Sequence, residues 1–394
     1  MLTRSMNLMM AASVGGMFGF YLLFAAVPLY VASGGAGEVG AGLVTGAMML
    51  STVLVEPAVP WLLSRFGYRA AMALGLALLG LPALLLPFSS GLPLVLAVSL
   101  LRGAGLGVLV VTGTALAAEL SPAGRRGEGL GLYGVAVGLP SLAGLPLGLW
   151  AGDALGFTPV FVAAGLAPLA GLAAVAGLPS VRPARAAGDR VSGLRGLAGP
   201  ALIFAAVTVA IGVLVTFLPL AVSPAQASAA LLAQSIGTPA ARWWAGRFGD
   251  RHGSARLLAP GVLAAAGGTA LQVWTAEPVA LIAGMALFGI GFGVLQNATL
   301  ALMFERGPAG RVSALWNLVY DAGMGAGAMG FGLIVGRTGF PLGFGLVAVL
   351  IVATLPLTWT SRRVRQGKRS PITGAHADGR LGTSPSPGNG ANAG

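Results

Sequence analysis

The sequence predicts an all-α membrane protein: twelve transmembrane helices arranged as two parallel six-helix repeats. Composition, the spacing of apolar segments and a repeat at constant offset carry this reading. Of 394 residues, 56% are apolar and 9% charged, against roughly 25% charged in an ordinary soluble domain, and the mean hydropathy is +0.86. So few charges cannot cover a water-facing surface. The chain is too apolar for disorder except near its C-terminus, and its 64 glycines lack the three-residue period of collagen.

A stretch of about 20 apolar residues crosses a bilayer as a helix. Such stretches run over 9–31, 41–64, 70–88, 93–118, 130–151 and 159–178, and then over 200–221, 225–246, 257–275, 279–304, 312–335 and 342–359. Gly, Pro, Ser or Arg punctuates each junction, as in Ser33-Gly34-Gly35 and Arg65-Phe66-Gly67. The chain therefore divides into an N-terminal six-helix half at 1–178, a linker at 179–198, a C-terminal six-helix half at 199–360 and a polar tail at 361–394. The tail starts with Arg and Lys and continues in Gly, Ser, Pro and Asn, the composition of a basic juxtamembrane patch followed by a disordered segment.

The net charge of +12 is explained by where the arginines fall. Arg4, Arg65, Arg69, Arg125, Arg126, Arg247, Arg251, Arg256, Arg306, Arg311, the linker arginines and those of the tail lie on one side of the membrane, and Arg337 alone lies in a loop on the other. By the positive-inside rule both termini are cytoplasmic, in a multi-pass protein of the inner cell membrane. The first apolar run is read as a retained span, because cleaving it as a signal peptide would leave an odd number of spans and break the charge alternation. Charge that marks topology gives no reason to expect nucleic acid as a partner; the lipid bilayer is one. Cys is absent and His occurs twice, too few for a metal centre, and no cofactor is expected. The monomer is the expected state.

Gly105, Gly107, Val108, Leu109, Ala115, Leu116, Glu119, Pro122, Ala123, Gly124 and Arg125 reappear 186 positions later as Gly291, Gly293, Val294, Leu295, Ala301, Leu302, Glu305, Pro308, Ala309, Gly310 and Arg311. The same offset carries Thr52, Arg65 and Gly67 onto Thr238, Arg251 and Gly253. Because it spans an even number of helices, the repeats share one orientation in the membrane.

The loop after the eighth span reads Gly246-Arg247-Phe248-Gly249-Asp250-Arg251-His252-Gly253, and its counterpart after the second keeps Arg65, Gly67 and Arg69. Here the chain resembles the major facilitator superfamily, and in particular bacterial drug and metabolite efflux carriers. In that family this loop is a cytoplasmic latch between the halves. Ser64 and Pro60 stand where the family has Asp and Gly, so Asp250 is the better latch candidate. The bland reading makes Arg65, Arg69 and Arg251 topology determinants only. Arg102 lies deep in the fourth span ahead of Gly103, Gly105 and Gly107, where burial costs about 2.5–3.5 kcal/mol unless it is compensated. The resemblance implies a part in proton coupling for Arg102, and a structural Arg held by backbone carbonyls is the alternative. In the fifth span, Gly134, Gly138, Gly144, Pro146 and Gly148 resemble a degenerate form of the Gly-Pro motif of the family's antiporters, with ordinary glycine packing as the alternative.

Two acids lie where acids are expensive. Glu56 is nine residues before Arg65, and Asp321 is ten beyond Arg311, each about 13 Å or more along a helix from the Arg-rich end. The resemblance implies that helices two and eleven are neighbours across the interface between halves. Both carboxyl groups would then share one cavity and exchange protons, or form part of a structural ion pair. The offset maps Glu56 onto Arg242, opposite charges at equivalent places. Asn317 shares a helical face with Asp321. Gln296, Asn297, Gln234 and Tyr21 complete the polar candidates for the substrate cavity, most polar residues in membrane helices merely bonding to neighbours.

These features point to a secondary transporter that exports a small amphipathic organic compound by proton-coupled alternating access, or else takes up a sugar or organic anion by proton symport. Neither an ATP-binding loop nor a catalytic cluster suggests an enzyme. The topology is testable in this Cys-free chain. Ala154→Cys should react with an impermeant thiol reagent in intact cells and Gly188→Cys should not; the reverse pattern would invert the orientation.

Overall fold

The computed structural model describes residues 3–122, 126–178, 196–307 and 309–359. The tail at 361–394 and most of the linker at 179–198 lie outside the described residues. Among the described residues there is helix and no strand.

Helix α1 (Arg4–Phe24) starts where the Thr3 hydroxyl accepts the Met6 backbone N–H at 3.2 Å, and α2 (Ala26–Val31) completes the first span. Gly35 and Gly37, at φ of 102° and 60°, turn the chain into α3 (Gly37–Val55). A 3₁₀ turn at Glu56–Ala58 joins α3 to α4 (Val59–Gly80). Pro57 has no N–H to continue the ladder, which accounts for the tightening at Glu56. Helix α4 breaks at Gly67, where φ is 82°, and the third span follows. The fourth span is α5 (Leu92–Leu120), the fifth α6 (Arg126–Gly138) with α7 (Pro140–Leu155), and the sixth α8 (Phe157–Ala176).

The second set begins with α9 (Ala198–Ala221). Helix α10 (Pro224–His252) opens on a capping box, in which the Ser223 hydroxyl accepts from the Gln226 backbone N–H and Gln226 accepts from that of Ser223. Helices α11 (Leu258–Ala270), α12 (Pro278–Phe304) and α13 (Ala309–Val352) follow. At Gly339, with φ of 71°, α13 folds back, since the rings of Phe331 and Phe344 stack 5.4 Å apart, whereas thirteen residues of straight helix would separate them by about 20 Å. It thus holds the eleventh and twelfth spans.

Seven helical stretches are long and apolar enough to cross a membrane, two of them 85 and 48 residues long. Those two contain the breaks at Gly67 and Gly339, and each holds more than one span. Helix α10 is not among the seven, because Gln226, Gln234, Ser235, Thr238, Arg242 and its last-turn charges make it the polar helix of the molecule.

The repeat visible in the sequence recurs atom for atom in the packing. Thr52 Oγ1 donates to the Gly103 carbonyl at 2.9 Å, and Thr238 Oγ1 donates to the Gly289 carbonyl at 3.2 Å. Gly103 lies against the Met48 carbonyl and Gly289 against that of Gln234; Gly107 lies against the Thr52 carbonyl and Gly293 against that of Thr238. A side chain at any of these glycines would drive α3 from α5 or α10 from α12, so glycine sets the distance between these helices. The fifth-span glycines divide. Gly144 and Gly148 press on Tyr21 and Leu22 of the first span, whereas Gly134 and Gly138 have nothing within 4 Å of a would-be Cβ. Close packing is thus confined to the second part of that motif, around Pro146 of α7.

The two sets of helices meet where α3 faces α13 and where α7 faces α10. Gly42 abuts the Ala328 carbonyl, Gly46 abuts Met329, and Gly325 abuts Met49. Thr216 Oγ1 donates to Thr45 Oγ1 at 3.1 Å, tying α9 to α3. All these contacts lie on the side of Glu56 away from Arg65.

Replacing Gly103 or Gly289 with Leu should each lower the thermal midpoint of the purified protein, by a cost of about 1–3 kcal/mol or more, while Gly138→Leu should leave it unchanged within error. Equal midpoints in all three variants would show that glycine does not set these helix separations.

Candidate functional site

Glu56 is placed by the break between α3 and α4, and its Cγ lies beside Gly107 of α5, 3.5 Å from where a Cβ would be. Arg242 occupies the equivalent place on α10, beside Gly293 of α12. The offset of 186 therefore holds in space, with an acid in one half and a base in the other.

Asp321 comes from α13. Its carboxyl lies near that of Glu56 across the seam. Two ionised carboxylates so close in a medium of low dielectric repel each other, which favours a proton on one of the pair. The Oε1 atom of Glu56 is buried and has no hydrogen-bond partner.

Arg242 donates from Nη1 to Gln296 Oε1 at 3.3 Å, and its guanidinium carbon lies 6.0 Å from the centre of the Trp316 ring. Among the described residues no carboxylate pairs with it. The phenols of Tyr21 and Tyr320 lie within electrostatic reach of both Arg242 and Asp321 and connect the basic and acidic parts of the cluster. Trp316 stacks on Phe204 at 4.6 Å and on Tyr320 at 5.7 Å, and Tyr320 in turn lies 6.2 Å from Phe292. The Trp316 indole N–H is buried without an acceptor. Tyr21, Glu56, Arg242, Trp316, Tyr320 and Asp321 all keep partial exposure. Polar and aromatic groups thus converge from both halves at the seam with some surface free.

The remaining candidates lie elsewhere. Arg102 is 3% exposed. Its Nη2 donates to the Gly19 carbonyl at 3.0 Å and its Nη1 has no partner. It lines a small cavity with Ser99, Thr45 and Met48, between the first, second and fourth spans. Gln234 is tied to Thr238 on its own helix, with Nε2 donating to Oγ1 at 2.9 Å. Asn297 lies against Gly246, its Nδ2 3.3 Å from a would-be Cβ. Asn317 is half-buried one turn before Asp321, and no hydrogen bond ties it to the cluster. In the loops, Gly67 and Gly253 take positive φ of 82° and 89°, so glycine is required at both turns. Arg65, Arg69, Asp250 and Arg251 are exposed around them, and among the described residues no latch contact of Asp250 is formed.

Trp316 and Tyr320 were not legible as site residues from the sequence. The available signal was their i, i+4 spacing alongside Asn317 and Asp321, which puts two aromatics on the face adjoining the acid.

No curated protein matches the chain in sequence. Among solved structures, it is similar to a POT family transporter in complex with 5-aminolevulinic acid, with a TM-score of 0.77 and 14% identity over 92% of this chain and 96% of that one. It is similar to the human organic anion transporter MFSD10 (TETRAN), with a TM-score of 0.66 and 18% identity over 90% of this chain and 99% of that one. A POT family transporter in complex with a thioalcohol-conjugated peptide gives a TM-score of 0.75 at 12% identity, over 93% and 97% of the two chains. At these identities the likeness establishes the fold. The sequence also matches the Major Facilitator Superfamily over residues 9–222 and again over 199–385. The chain belongs to the major facilitator superfamily of transporters.

Proposed function

We propose that this transporter is proton-coupled and moves a small amphipathic organic compound by alternating access, with Glu56 and Asp321 as the proton-carrying pair. The observation that carries the reading is the closeness of these two carboxyl groups across the seam. A proton held there bridges the halves. Its loss leaves two like charges facing each other in a medium of low dielectric, which favours separation of α3 from α13 at that level. Protonation and the movement of the halves are then one event. The partly exposed aromatic rings of Trp316 and Tyr320, backed by the buried Phe204 and Phe292, support an amphipathic cargo rather than a sugar.

The resemblance to efflux carriers favours export in exchange for protons across the inner membrane, with both termini cytoplasmic and the protein acting as a monomer. A second reading, symport of an organic anion with protons, is favoured by one specific observation: Arg242 stands at the seam with no acidic partner among the described residues. Asp250, exposed in this conformation, would act as the latch in the opposite one.

Glu56→Gln and Asp321→Asn should each abolish transport driven by a pH gradient in proteoliposomes while downhill exchange of substrate persists. Gradient-driven transport at the wild-type rate in the double variant would eliminate the proposal. Loss of expression in both single variants with no recovery in the double one would assign the pair a purely structural role.

A further inference from the structure

We infer that the seam between the halves binds an organic anion with a flat apolar body, with Arg242 as the group that holds its negative charge. Like the second reading above, this rests on proton coupling through Glu56 and Asp321, but only for its pH dependence. The charge preference stands on the geometry of Arg242 itself.

Arg242 is an arginine placed deep in a membrane protein, and a charge at such depth calls for a partner. What meets it is an uncharged amide at 3.3 Å and the face of Trp316. One hydrogen bond leaves most of its five N–H donors unused, and the side chain keeps accessible surface at the seam. A guanidinium short of acceptors matches the oxygens of a carboxylate or sulfonate. Trp316 and Tyr320, which stack on each other at 5.7 Å and keep partial exposure, supply an aromatic surface for the rest of the ligand.

The ionisable groups around this position come from four spans: Tyr21 from the first, Glu56 from the second, Arg242 from the eighth, and Tyr320 with Asp321 from the eleventh. Arg102, on the fourth span packed against Glu56, is turned away to the Gly19 carbonyl. With one shared proton the acid pair is singly negative and balances Arg242. An arriving anion makes the site negative unless the pair takes up its second proton. Anion and proton therefore assist each other's binding, which is the linkage a symporter requires.

The test uses the purified full-length chain and three flat probes of one shape, benzoate, benzamide and benzamidinium, titrated calorimetrically. Benzoate should bind at least about tenfold more tightly than either of the others, and its affinity should fall as pH rises, by up to about tenfold per pH unit for one linked proton, over a range where benzoate itself stays ionised. Arg242→Gln should remove benzoate binding, and Arg242→Lys should restore part of it. Should Arg242→Gln fail to fold, the comparison of the three probes on the unaltered protein still decides. Benzamide or benzamidinium binding as tightly as benzoate, benzoate binding unchanged in Arg242→Gln, or no binding of benzoate at all would overturn the inference. If Glu56→Gln with Asp321→Asn leaves benzoate binding and its pH dependence intact, the anion site stands and the proton-carrying role of the pair fails.

Discussion

Two carboxyl groups that meet in a low-dielectric interior cannot both be charged without strong repulsion, and that constraint organises this molecule. Glu56 and Asp321 come from helices on opposite sides of the seam, and each is far from the Arg-rich loops. On the proposal made here, a proton shared between them joins the halves. The surrounding structure serves the meeting. The Pro57 break places Glu56 on α3, and Gly107 leaves room for its side chain against α5. The glycine contacts from Gly42 to Gly325 bring α3 and α13, and with them the carboxyl groups, close together.

The repeat explains why the site is asymmetric. Duplicated scaffolds give duplicated packing, and the Thr52 to Gly103 and Thr238 to Gly289 hydrogen bonds are the same contact made twice. At the next turn the copies diverge into Glu56 and Arg242. The scaffold thus provides two equivalent pedestals at one depth, and the side chains make one of them acidic and the other basic. Seam contacts such as the Thr45 to Thr216 hydrogen bond lie on the side of the site away from Arg65. The arginines and Asp250 at the other end are exposed. Contacts between the halves on one side of the site and exposed charges on the other are compatible with alternating access.

Much of the fold was legible in the sequence because bilayer solvation leaves few options: backbone groups must be satisfied within helices, and apolar length then counts the spans. The stretch 225–246 counts among the twelve spans even though α10 is the polar helix of the molecule, held in place by glycine contacts to α12. One feature escaped that logic. The close packing expected along the whole fifth-span motif is confined to Gly144 and Gly148, because spacing says that a glycine face exists and not that a neighbour covers it. In the site, depth arithmetic picked out Glu56 and Asp321, the offset of 186 picked out Arg242, and polarity alone Gln296. Trp316 and Tyr320 escaped notice, since an aromatic pair on an apolar helix has no signature until a charged group is found beside it. Asn297 and Gln234, chosen for polarity alone, lie against their own half's helices.

The central claim is that the Glu56 and Asp321 carboxyl groups share a proton at neutral pH. Infrared spectroscopy of the purified protein in lipid measures this directly, through the carbonyl band of a protonated carboxyl group and its isotope shift in heavy water. The account predicts such a band at neutral pH in the unaltered protein and its loss in the Glu56→Gln, Asp321→Asn double variant. A spectrum with no protonated-carboxyl band at neutral pH, or one that the double variant leaves unchanged, would contradict it.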